Sequence, residues 1–148
     1  MDTRDIRRQV YTAIHRLDRM GSHERFWHGE LAVRGEIVEI ANQALEVLEA
    51  GDRPGAIALL EAVTEAYLEE GEGLDDDTGF VYEELASLWD EVLLKEDLSL
   101  AERQSWAEKL TAWQRQIDDL GFDGIFDVAA IVADLQAQTD SSEQRKKS

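Results

Sequence analysis

The stretch "NQALEVLEAGDRPGAIALLEAVTEAY", Asn42 to Tyr67, reads as two helices joined by a tight polar turn. Before the turn, Val33, Ile37, Ile40, Ala41, Ala44 and Leu48 recur at threes and fours. After it, Ala56, Leu59, Leu60, Val63 and Tyr67 do the same. Side chains three or four apart share one helix face, so each segment offers a single apolar side to its neighbour. Gly51 is suited to stop the first helix and Asp52 to cap the second, while Pro54 falls in the first turn, where a missing N–H costs nothing. Small Ala44, Ala58, Ala62 and Ala66 let the two backbones approach closely.

The same reading extends in both directions. From Thr3 to Met20, Ile6, Val10, Ala13, Ile14 and Leu17 define one helical face, with Arg4, Arg8, His15 and Arg19 mostly off it; Gly21 suits a left-handed cap. A second, long helix is expected from about His23 to Ala50, with Arg34, Glu39, Gln43 and Glu46 outward. Gly29 and Gly35 weaken its first half by about 1 kcal/mol each relative to Ala, so a bend or irregular turn is expected there. The third helix runs to about Glu70, and "EEGEGLDDDTG", Glu69 to Gly79, reads as a flexible acidic loop. A fourth helix, about Phe80 to Leu94, carries Val81, Leu85, Leu88, Trp89 and Val92. "SLAE", Ser99 to Glu102, is a capping box that opens a fifth, with Trp106, Leu110, Trp113 and Ile117 on one side. Gly121 ends it, Asp123 is placed to cap a sixth, and Ile125, Val128, Ala129, Val132 and Leu135 continue to about Ala137. No stretch reads as a strand. The expected fold is all-α, about six antiparallel amphipathic helices in one domain over residues 1–138, followed by a disordered polar tail, 139–148.

Composition narrows the functional classes. The chain has 148 residues, 43% of them hydrophobic, which suffices for a real core. It contains no cysteine, which excludes disulfides and thiolate metal sites and fits a cytoplasmic location. No apolar run approaches the roughly 20 residues that cross a bilayer, so no membrane association is expected. The formal net charge of −18 is unevenly spread: residues 1–34 carry +2, residues 35–140 carry −22 and the rest +2. A body this acidic repels a phosphate backbone, which argues against nucleic-acid binding through it. The arginines of the first helix then serve to offset the acidic body of the same molecule.

No constellation of catalytic or metal-binding type stands out. Counting Asp75 as the first ligand of an EF-hand puts Phe80 where glycine is required and Ala86 where the bidentate Glu is required; counting from Asp119 puts Ala130 at that last position. His23 and His28 are five apart, whereas the metalloprotease motif needs four to bring both imidazoles onto one face. A Glu followed by His three residues later, the di-metal signature of ferritin-like bundles, never occurs. The acids occupy outward positions and loops, so no enzyme activity, metal or cofactor is expected. Among the aromatics, Trp106 and Trp113 share a face with Leu110 and read as core, while Trp27 and Tyr82 stand near element ends. The residues assigned to partner binding are Trp27, His28, Tyr82, Asp75, Asp76 and Asp77.

The turn "EAGD" and the small-residue spacing around it resemble a tetratricopeptide unit, although no second copy keeps a 34-residue period. Several blocks together resemble the helical region that follows the zinc finger in bacterial SWIM zinc-finger proteins. They are "RRQVYTAIHRLDRM" (Arg7 to Met20), "FWH" (Phe26 to His28), "LEAGDRPGAIALLEAVTEAY" (Leu48 to Tyr67), "FVYEELASLWDEVLLKEDLSLAERQSWAEKL" (Phe80 to Leu110) and "DDLGFDGIFDVA" (Asp118 to Ala129). The finger of that family is a Cys-x-Cys pair followed by Cys-x-His, and a chain without cysteine cannot hold its zinc. What the resemblance implies is a tetratricopeptide-like accessory module in a short superhelix or bundle. Met1 is compatible with a natural start or with the cut end of a longer protein. The function expected is a non-enzymatic acidic interaction module for a basic protein partner. The alternative is an inhibitor or immunity-type protein that blocks a nucleic-acid-binding partner by mimicking phosphate charge.

Overall fold

The computed structural model describes residues 3–24, 28–70, 81–93, 98–122 and 124–136. Its elements in order are α1 (Thr3–His15), a 3₁₀ turn (Arg16–Arg19), the single turn α2 (Ser22–Glu24), α3 (Glu30–Glu49), α4 (Arg53–Glu70), α5 (Val81–Val92) and α6 (Leu100–Asp119). A last helix, α7, covers residues 129–136. No strand occurs among the described residues, and the fold is all-α. By contacts the chain divides into two compact units, Met1–Leu88 and Trp89–Ser148, a finer division than the single domain expected over 1–138. The polar tail, 139–148, and most of the acidic stretch from Glu69 to Gly79 lie outside the described residues.

The first unit is built on the hairpin of α3 and α4. The helices are joined by Ala50 to Asp52, and Gly51 there adopts φ +91°, a conformation open to glycine because it has no Cβ. Its N–H donates to the Leu48 carbonyl (2.9 Å) and that of Asp52 to the Val47 carbonyl (3.1 Å), which together form a Schellman motif. Asp52 Oδ1 then accepts from the Gly55 N–H at 2.9 Å and caps α4. Across the hairpin, α1 packs on both helices, seating Ile6, Val10, Ala13, Ile14 and Leu17 against the buried faces of α3 and α4. Because two helices flank it, α4 is deeply buried along much of its surface: Leu59, Leu60, Ala62, Val63, Thr64, Ala66 and Tyr67 are each at most 4% exposed. The one hydroxyl among the aliphatic members of this set, on Thr64, donates back to the Leu60 carbonyl at 2.8 Å, as burial requires.

Three sequence expectations are corrected here. The first helix ends at His15 and tightens into the 3₁₀ turn, which buries Leu17; Met20 then turns extended (φ −95°, ψ 145°), so no left-handed cap forms at Gly21. The long helix starts at Glu30, after a π-helical turn at residues 28–29, consistent with the irregularity expected around Gly29. Arg34 does not face outward but is 6% exposed, because it lies three residues before Ile37 and seven before Ala41 and so falls on the packed stripe.

In the second unit the capping box forms as expected. Glu102 N–H donates to Ser99 Oγ (3.2 Å), and Ser99 N–H donates to Glu102 Oε1 (3.0 Å). Ala107, Leu110, Trp113 and Ile117 of α6 are buried, Trp106 only partly. A second Schellman turn closes α6, with Gly121 at φ +101° donating to Asp118 and Phe122 donating to Ile117. The sixth helix begins at residue 129, and the cap expected from Asp123 lies outside the described residues. Asp127 Oδ1 instead accepts from the Ala129 N–H at 3.3 Å. With the chain non-helical before 129, the buried set becomes Phe126, Val128, Ile131 and Leu135, replacing the expected Ile125, Ala129 and Val132.

Candidate interaction surface

Arg7, His15 and Arg16, in α1 and its 3₁₀ turn, face acids of the same unit. Arg7 pairs with Glu65 of α4, Arg16 Nη2 meets Glu36 Oε1 of α3 at 2.9 Å, and His15 meets Glu70 of α4. Arg8 makes a looser contact with Asp5 at 3.9 Å, and both are well exposed. Pairs this exposed contribute about 0–1 kcal/mol each, so their main consequence is to neutralise local charge. The hydrogen bond to Glu36 raises the pKa of Arg16 further above its ordinary value. This arrangement supports the reading that the basic first segment offsets the acidic body.

Between α1 and α3 runs an open groove of about 550 Å³. Arg8, Thr12 and Arg16 line one wall and Glu36, Glu39 and Gln43 the other, with the Arg16–Glu36 pair bridging them. Its lining has no histidine, and its charges are of both signs, so it offers polar contact more than sheltered reactivity. Among the described residues no group of three or more His, Asp or Glu side chains is arranged to hold a metal ion.

Of the residues assigned to partner binding, His28 is exposed in the turn that leads into α3. Trp27, Asp75, Asp76 and Asp77 lie outside the described residues. Tyr82 is corrected: it is 1% exposed and meets Tyr67 edge-to-face, so it belongs to the core. Its place near the start of α5 suggested exposure, but it stands three residues before Leu85 and seven before Trp89, on the apolar stripe. Trp113 is core as expected; Trp106 and Trp113 both approach Trp89, and Lys109 Nζ stands 5.5 and 5.3 Å from the Trp106 and Trp113 ring centroids.

The sequence reading missed the outer face of α5. Glu83, Glu84, Ser87, Asp90 and Glu91 are all exposed and fall on the side opposite Val81, Tyr82, Leu85, Leu88, Trp89 and Val92. The signal was present in "VYEELASLWDEV", since the acids occupy the complement of the apolar stripe. Among the described residues none of these four carboxylates is held in an ion pair. They span about 12 Å along the helix at 1.5 Å per residue. No protein-family model, curated protein or solved structure matches the chain. Among the described residues no helix is long and apolar enough to cross a membrane.

Proposed function

We propose that the protein is a non-enzymatic, acidic helical interaction module that recognises a basic protein partner. The observation that carries this reading is the outer face of α5, where four exposed carboxylates have no cation paired with them among the described residues, while Arg7, His15 and Arg16 of α1 and the 3₁₀ turn face acids of their own unit. Opposite charge on a partner speeds encounter and makes the complex salt-sensitive. The block resemblance to the helical region of SWIM zinc-finger proteins supports an accessory place in a larger assembly, and the absence of cysteine supports a cytoplasmic one.

Affinity capture at low and high salt tests this, using the whole chain and a variant carrying Glu83→Gln, Glu84→Gln, Asp90→Asn and Glu91→Gln. The module retains a basic partner at low salt, releases it at high salt, and loses it in the variant. Retention that is indifferent to both salt and the substitutions overturns the reading. The same acidic face also favours a second reading, an inhibitor that mimics phosphate charge. Its signature is one nuclease or DNA-binding partner held through high salt, and loss of that partner's nucleic-acid binding when this chain is added.

A further inference from the structure

His15 is the last residue of α1, and its two ring nitrogens face two carboxylates. Nδ1 lies 2.9 Å from Asp18 Oδ2 in the following 3₁₀ turn, and Nε2 lies 2.8 Å from Glu70 Oε2 at the end of α4. An ionised carboxylate only accepts hydrogen bonds, so both contacts are satisfied together only when both ring nitrogens carry protons and the ring is an imidazolium. The Tyr11 ring, one turn earlier on α1, stacks on the imidazole with centroids 4.0 Å apart and planes at 27°. The next residue, Arg16, is paired with Glu36 of α3.

The end of α4 explains why a cation is wanted there. Its last two residues are Glu69 and Glu70, and its last turn has no basic residue. A helix C-terminus carries about half a negative charge, which disfavours carboxylates and favours a cation. His15 supplies that cation from another helix. Asp18, in the 3₁₀ turn after α1, reinforces the charged ring in turn.

We infer that His15 is a proton-controlled latch between the ends of α1 and α4: charged, it bridges Asp18 and Glu70, and neutral, it must release one of them and leave the last turn of α4 without its cation. The hydrogen bonds His15 donates to Glu70 and then to Asp18 raise its pKa above the ordinary value of 6.5, so the latch is closed below that pH and opens as pH rises through the higher folded value. This device is independent of what the outer face of α5 binds.

Its test is an NMR titration of the whole chain that follows the His15 ring and the backbone amides of Leu68, Glu69 and Glu70 from acid to mildly alkaline pH. The His15 midpoint is expected above 6.5, the three amides are expected to move with the same midpoint, and Glu70→Gln is expected to lower that midpoint. His15→Gln, checked for helicity by circular dichroism, is expected to abolish the step in the amides. A midpoint at or below 6.5, a midpoint unchanged by Glu70→Gln, or amides that do not follow the ring would each overturn the latch.

Discussion

Tyr82 of α5 meets Tyr67 of α4 edge-to-face, with ring centroids 5.0 Å apart and planes at 67°, and both rings are sealed from solvent. The pair combines apolar burial with favourable ring geometry, which adds about 0.5–1.5 kcal/mol beyond the buried area. Tyr82→Ala is therefore expected to lower stability by about 3–5 kcal/mol, the range for removing a buried aromatic side chain. Urea denaturation checks this: the midpoint should fall while the slope with denaturant holds. A change below about 1 kcal/mol would contradict the core assignment.

Gly29 sits where the chain before α3 passes the end of the α1 region. A Cβ placed there would stand 2.5 Å from Met20 Sδ and 2.9 Å from Leu17 Cδ2. The Gly29 backbone is right-handed helical (φ −65°), so the obstacle is space and not conformation. The usual overpacking cost of about 1–3 kcal/mol is offset in part by the roughly 1 kcal/mol that Ala gains over Gly in a helix, so Gly29→Ala is expected to destabilise by about 0–2 kcal/mol. Adding Met20→Ala should relieve part of the loss, so thermal unfolding of the two single variants and the double variant should show non-additivity.

Asp52→Ala should cost about 1 kcal/mol by removing the cap on the Gly55 N–H, whereas Asp52→Ser should retain most of the stability. The comparison by equilibrium unfolding separates the cap from a general charge effect, because both substitutions remove the same carboxylate. Equal losses in the two variants would show that the side-chain acceptor contributes nothing.

Stability should fall on both sides of a mildly acidic optimum, for two separate reasons. The backbone and hydroxyl hydrogen bonds of Ser99 lower the Glu102 pKa below its ordinary 4.5, so that contribution is complete above this value and is lost as pH falls through the folded one. The raised pKa of His15 has the opposite sign, with its contribution complete below 6.5 and lost as pH rises through the folded value. Thermal melts across pH should then show Glu102→Gln flattening the acid side and His15→Gln flattening the neutral side. If each variant altered the other limb, the assignments would be wrong.

What could be read in advance was local chemistry. The Gly51, Asp52 and Pro54 order, the Ser99–Glu102 box and the stop at Gly121 each act over a few residues, and each forms in the structure. What could not be read depended on partners distant in sequence. Arg34 is buried because α3 packs along that stripe, and Phe126 and Ile131 replace the expected residues because helix formation is delayed to residue 129. The surface was legible only in outline. Net charge pointed to acidic recognition, but the acids of α5 become one face only once that helix's apolar stripe is assigned, and Tyr82 belonged to that stripe and not to the rim.

The inner face of α4 is walled in by α1, by α3 and by Tyr82, which seal Leu59, Leu60, Val63 and Tyr67 from solvent, while Pro54 and Glu69 near its two ends stay exposed. In the proposed interaction module, selectivity would then be written on outward positions, where an exchanged side chain alters the message without disturbing the frame that displays it. Such a molecule can change allegiance by a handful of surface substitutions while its central rod stays as it is.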